Sequence, residues 1–296
     1  LNFLALKNLH LQRVWWAVNS PSLLASSQEA SYIQTASHSL QLQEILFQQD
    51  QNDALVNQHF DDLGPMAMGR YFEQLLFFII KLDPHYELLA ENRQIIEDKI
   101  TLGELDLILR NAHTGKLEHW EVALKFYLQI ENNPASQYML GPSTKDNLQR
   151  KLIKLMGSQL PLSERKEIKE AFPQLQAKLF VRGIFFYPWQ EPFCISEGVS
   201  DSHLKGEWLK LSDLPQLKEA GQHWRLKSKP AWIGGEIYFQ EEDLLNFESL
   251  QQECAGTIQS NGRPQLITLY QKDQNFWSEK EYYFVVPNAW PAGNED

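Results

Sequence analysis

Residues 102–127 read LGELDLILRNAHTGKLEHWEVALKFY, and the fold turns on how they pair. Two runs rich in Leu, Ile, Val and aromatic residues flank NAHTG, a turn signal, so a β-hairpin is expected. Strand side chains alternate between faces. That puts Glu104, Asp106 and Ile108 on one face and Leu105, Leu107 and Leu109 on the other; in the second strand it groups Glu121, Ala123 and Lys125 against Val122, Leu124 and Phe126. Pairing then brings Asp106, Glu121 and Lys125 to one surface. Two carboxylates so placed are the hard oxygen donors that Mg²⁺ or Mn²⁺ takes. Such a cation polarises a phosphoryl oxygen and lowers the pKa of a bound water, and an ammonium beside it orients that water or neutralises developing charge. A half-wet antiparallel hairpin alternates in the same way without any site, so the flanking sequence must decide.

Upstream, PMAMGRYFEQLLFFIIKL from Pro65 repeats apolar residues at Met68, Phe72, Leu75, Leu76 and Ile79, the spacing of a helix with one buried face. Glu73 borders that stripe. HYELLAENRQII then supplies a first strand. Downstream, STKDNLQRKLIKLMGSQL predicts a helix with Ser143 or Thr144 near its N-cap, and AKLFVRGIFFYP a mostly buried strand stopped by Pro188. The order is helix, three strands, helix, strand. We divide the chain into an N-terminal helical layer (1–62) with a helix start at SPSLL (20–24), a core (63–190), and a C-terminal extension (191–296). The extension's GEWLKLSDLPQL, WRLKSKPAWIGG, EEDLLNFESLQQEC and PQLITLYQKDQNFW complete or extend the same sheet.

This order resembles the PD-(D/E)XK (restriction-endonuclease-like) nuclease superfamily, in which a helix carries a Glu, one strand an Asp and the next (D/E)XK, followed by a helix and a strand. GELDLIL is similar to the GEIDLI form of the Asp strand, EVALK stands where EVK usually does, and GRYFEQL supplies the helical Glu. RVWWAVNSPSLL, GRYFEQLL, GELDLIL, HWEVALKFYL and GPSTKDNLQRKL together resemble a bacterial family of unknown function grouped with that superfamily. The resemblance implies an α/β fold with a restriction-endonuclease-like core, a mixed central sheet flanked by helices, and Mg²⁺-dependent hydrolysis of DNA or RNA. It makes Glu73, Asp106 and Glu121 the metal ligands, with Asp106, Glu121 and Lys125 catalytic. The pattern departs at Ala123, which holds the usual lysine place. Lys125 keeps the face but lies two strand rises, about 3.3 Å each, further on.

With 296 residues, 43% hydrophobic, the chain can bury a full core. Its net charge of −11 would repel a phosphate backbone if evenly spread. It is not: residues 145–182 hold nine Lys and Arg against four acids. Among these, Lys145, Arg150 and Lys151 follow the candidate catalytic strand and are the expected nucleic-acid contacts. A P-loop is excluded by spacing, as are HExxH, zinc-finger, GxSxG and GxGxxG sites. The two cysteines, Cys194 and Cys254, form no framework. His113 and His119 flank the turn and are expected in polar loop roles, and Trp208, Trp224 and Trp232 are expected to be structural. The apolar run LLFFII is too short to span a bilayer, and a cytoplasmic protein is expected. The alternative to a nuclease is a catalytically inactive descendant of the fold that binds nucleic acid or a protein partner.

Overall fold

The computed structural model describes residues 4–97 and 99–291. Four helices come first: α1 (Leu9–Asn19), α2 (Ala36–Asp50), α3 (Asp53–Asp62) and α4 (Met68–Leu82). Strands β1 (Tyr86–Glu97), β2 (Ile100–Asn111), β3 (Leu117–Gln129) and β4 (Met139–Leu140) follow, then α5 (Leu148–Lys154), α6 (Lys166–Ala171) and β5 (Gln176–Pro188). The last third contributes β6 (Lys205–Lys210), β7 (Trp224–Lys227), β8 (Ile237–Tyr238), α7 (Phe247–Asn261), β9 (Gln265–Asp273) and β10 (Phe276–Val286).

All ten strands join one mixed sheet in the order β1-β2-β3-β5-β6-β10-β9-β7, with β4 on β3 and β8 on β10. Strands β3, β5, β6 and β10 run parallel, and antiparallel pairs flank them on both sides. The extension is therefore part of the same sheet, since β6 pairs with β5.

Parallel strands need cover on both faces. On one face, Trp16 of α1 and Phe72, Leu75 and Leu76 of α4 pack against Val122, Leu124, Phe180, Ile184 and Phe284. On the other, Leu23, Leu24, Leu148, Leu155 and Leu160 cover Ala123, Tyr127, Leu179, Val181 and Phe185. Helix α7 closes the far end, with Leu250 and Cys254 against Trp224, Ile267 and Val285. Between β3 and β5 the backbones close up at Gly183, whose φ is +146°; a Cβ there would lie 1.7 Å from the Lys125 carbonyl oxygen, so only glycine fits.

One buried polar group ties the N-terminal layer to the last third. Arg13 pairs with Glu236 at 2.6 Å, and Lys227 pairs with Glu236 at 2.5 Å and Glu279 at 2.8 Å. The hydroxyls of Tyr238 and Tyr282 donate to Glu236 (3.1 Å) and Glu279 (2.8 Å), and the Gly235 N–H donates to Glu279 (2.7 Å). Two cations meet two anions here, and the surrounding donors satisfy the remaining lone pairs, which burial of charge requires.

Several sequence expectations fail locally. SPSLL does not start a helix: the Ser20 N–H closes α1 on the Trp16 carbonyl, and Leu24 bridges Val199. Neither Ser143 nor Thr144 caps α5. Thr144 has φ +62°, and Asn147 caps instead, its side chain accepting the Arg150 N–H. The predicted 18-residue helix ends after two turns and passes through a π turn (Leu155–Gln159) into a 3₁₀ segment (Leu160–Glu164), where Pro161 has no N–H for an α ladder. No helix of the described residues is long and apolar enough to cross a membrane.

Candidate functional site

The β2–β3 ladder runs from Arg110–Leu117 to Leu107–Trp120 and stops. The next residue on each strand is Asp106 and Glu121, so both carboxylates stand where the strands part. Asp106 Oδ2 takes the Val122 N–H at 2.8 Å, a side chain replacing the lost ladder partner. The expected alternation slips here. Leu105 does not join Leu107 and Leu109 but packs with Ile95, Ile108, Leu162 and Ile168.

Helix α4 brings Glu73 to the same place, buttressed by Arg70. The Arg70 guanidinium donates to Glu73 Oε2 at 2.9 Å and to Asn92 Oδ1 at 2.7 Å. Asn92 lies on β1 between the pairs Glu91–Leu107 and Arg93–Leu105, opposite Asp106, with φ +50°. Asparagine tolerates that left-handed conformation better than most residues. A Cβ on Gly69 would meet nothing within 4 Å, so the helix surface one turn before Glu73 is open.

Glu121 is the most enclosed of the three, 1% exposed. Its Oε1 accepts a hydrogen bond from Gln159, whose own Oε1 takes the Lys151 ammonium at 3.2 Å. Its Oε2 is buried without a partner. Burial pushes the Glu121 carboxyl up to about 8, with Asp106 adding to the rise and Lys151 opposing it. Burial likewise raises Asp106 to about 6 against the pull of the Val122 N–H, and raises Glu73, where Asp106 again adds. Lys151 is lowered by burial, although Glu121 and Asp106 draw it the other way. Three carboxylates crowded enough to resist ionisation, one with an orphaned buried oxygen, form an all-oxygen donor set that fits a hard divalent cation.

The lysines that act on Glu121 come from α5, Lys151 more strongly than Lys154. Lys125 shares the strand face of Glu121, but its ammonium pairs with Asp146 Oδ2 at 2.7 Å, an oxygen that also accepts the Tyr127 hydroxyl at 2.9 Å. Gln159, from the π turn, carried no sequence signal at all. Lys145 and Arg150 are exposed, and Arg150 donates to the Lys145 carbonyl at 3.2 Å.

The basic run is only partly surface charge. Arg182 is buried over the Phe180 ring at 4.0 Å and donates to the Ala30 carbonyl, and burial lowers it to about 10. Lys178, Arg165, Lys166 and Lys169 are paired with Glu118, Glu97, Glu170 and Glu164. Lys145, Arg150, Lys151 and Lys154 have no carboxylate partner among the described residues.

Two further expectations change. His119 is no loop residue: it lies in β3, fully buried, and burial lowers it to about 4. Trp224 is buried as expected of a structural residue, whereas Trp208 and Trp232 are only partly covered. A second cluster, His38, Asp83 and His85, brings potential ligand atoms within 4.8 Å. Its imidazoles stack at 3.8 Å, 15° from parallel, and both hydrogen-bond to Asp83 (2.8 and 3.1 Å). Each ring spends the nitrogen that faces the cluster on a different oxygen of Asp83, and Asp83 is the residue that ends α4. The cluster is a helix-end brace.

The family described as Domain of unknown function (DUF1853) matches residues 12–286. No curated protein and no solved structure matches the chain.

Proposed function

We propose that this chain, which belongs to the DUF1853 family of unknown function, is a divalent-metal-dependent nuclease with a restriction-endonuclease-like core. The observation that carries the reading is the end of the β2–β3 ladder, where Asp106 and Glu121 lie together under Glu73 with one buried carboxylate oxygen unpartnered. Supporting it are the resemblance of GELDLIL and EVALK to the superfamily's strands and the element order, α4, then β1–β3 with the two-residue β4, then α5 and α6, then β5.

Glu73, Asp106 and Glu121 would hold Mg²⁺ or Mn²⁺, which when bound polarises the phosphoryl oxygen and acidifies a water. Lys151 takes the place that Ala123 leaves empty. From α5 its ammonium offsets charge that builds on the non-bridging phosphate oxygens, and Gln159 fixes it relative to Glu121. Lys145 and Arg150, exposed on the segment leading into and starting α5, receive neighbouring phosphates. Lys125 is a positioning residue: through Asp146 it holds the loop that carries Lys145.

The test is cleavage of labelled single- and double-stranded DNA and RNA with Mg²⁺ or Mn²⁺ by the wild type, Asp106→Ala and Glu121→Ala. Cutting by the wild type alone supports the reading. Intact substrates with all three folded proteins refute it and favour a binding protein on the same fold.

A further inference from the structure

The loop at residues 142–145, residues 227–232, the end of α7 and residues 287–291 enclose a cleft of about 970 Å³. Its lining includes Lys145, Lys227, Lys229 and Arg263 and, among the described residues, no Asp or Glu, in a chain where acids outnumber bases 38 to 27. Lys227 is committed below the floor to Glu236 and Glu279. The other three are exposed and form no ion pair among the described residues. Trp232 completes the lining. Its indole N–H is fixed on the Lys227 carbonyl at 3.0 Å, Phe126 and Phe284 brace the ring edge-on, and the Lys229 ammonium stands 4.6 Å over it. The Trp290 N–H bonds the Pro142 carbonyl at 3.1 Å and so ties two walls together.

Unpaired cations around a braced aromatic ring, with no carboxylate among the described lining residues, select a ligand that carries both negative charge and flat rings. We propose that this cleft receives a single-stranded stretch of nucleic acid, with phosphates on Lys145, Lys229 and Arg263 and a base against Trp232. This deepens the nuclease reading and rests on it for the direction of the strand. Lys151, Arg150 and Lys145 form a run of cations leading from the carboxylates to the cleft wall. Along β3, the distance from Glu121 to Leu128, where β4 pairs, is about seven rises or ~23 Å, a span of a few nucleotides. The cleft has the volume of a single-ligand pocket, about 300–1,000 Å³. A duplex keeps its bases stacked inside and offers Trp232 no free ring face, whereas a single strand can splay a base out onto it.

Fluorescence anisotropy with a labelled 20-nucleotide single strand, DNA or RNA, and its duplex, in EDTA at low salt, tests this without any turnover. The expected result is salt-sensitive single-strand binding with a log–log slope near −2, from about 0.7 per phosphate contact. Lys229→Glu/Arg263→Glu, shown by thermal melting to fold, weakens it at least tenfold, and Trp232→Ala weakens it further. Single-strand affinity unchanged by the charge reversals overturns the proposal, as does a duplex that competes equally. The two readings fail separately. Binding through the cleft with no Mg²⁺-dependent cutting sinks the nuclease alone; Asp106-dependent cutting with binding indifferent to Lys229 and Arg263 sinks the cleft alone.

Discussion

Glu121→Gln should stabilise the metal-free protein, increasingly so as pH rises. In the fold this carboxyl titrates near 8 against an ordinary 4.5. A group whose folded pKa is raised contributes stability that is fully present below its unfolded pKa and lost as pH rises through its folded one, here between 4.5 and about 8. Each unit is about 1.4 kcal/mol. At pH 5 the ionised form costs the fold under ~1 kcal/mol, and at pH 7 about 3 kcal/mol. Glutamine keeps an oxygen for the Gln159 amide and carries no charge to desolvate, and its removal of charge also relieves Asp106, in the same direction. With about 2 °C of Tm per kcal/mol for a chain of this size, melts in EDTA should show the variant about 6 °C above wild type at pH 7 and nearly level at pH 5. Mg²⁺ should then raise the wild-type Tm at pH 8 and leave the variant almost unmoved. A gap that does not change between pH 5 and 8, or a variant that melts below wild type at pH 8, would show that Glu121 is not the crowded, desolvated carboxylate described.

Asp106→Asn and Asp106→Ala should both abolish cutting, but only alanine strips the Val122 N–H of its acceptor, so urea denaturation should place it about 1–2 kcal/mol below the asparagine form. Lys151→Met should lower the rate of cleavage by about 10²–10³-fold, whereas Lys125→Met should do far less; the reverse ranking would return the catalytic role to β3. Lys227→Met leaves Glu279 buried beside an unneutralised site and should cost about 3–5 kcal/mol in chemical denaturation. Acid should act on the same group: burial alone would raise Glu236, but Lys227 and Arg13 hold it at about 2. Its contribution to stability is therefore present above 4.5 and lost as pH falls toward 2, a loss that Arg13→Met should shrink in an acid titration followed by circular dichroism.

The hairpin was legible because its turn signal and its two apolar runs are local, and the pairing of Asp106 with Glu121 follows from register once the turn is placed. The slip at Leu105 was not, because alternation presumes an unbroken ladder, and the ladder breaks where β2 and β3 diverge. Lys151 was legible as a charge but not as a neighbour of Glu121: strand spacing sees only what β3 supplies, and this cation comes in from α5 across a tertiary contact. Arg182 counts in sequence toward the basic run, yet the strand it occupies is covered on both faces and turns it into a buried cation over Phe180. The cleft walls come from segments more than a hundred residues apart, and no window along the chain unites Lys145 with Arg263.

The buried quartet of Arg13, Lys227, Glu236 and Glu279 also bears on how such a chain can be inherited. It is electroneutral with all four members and charged when any one is missing, and Arg13 and Glu236 are separated by 223 positions. A recombination boundary between Arg13 and Lys227 would hand one lineage two carboxylates with a single cation and the other an arginine with no anion. A chimera that takes its first 190 residues from this chain and the rest from another parent should therefore give insoluble protein unless that parent also supplies Lys227, Glu236 and Glu279 to meet Arg13.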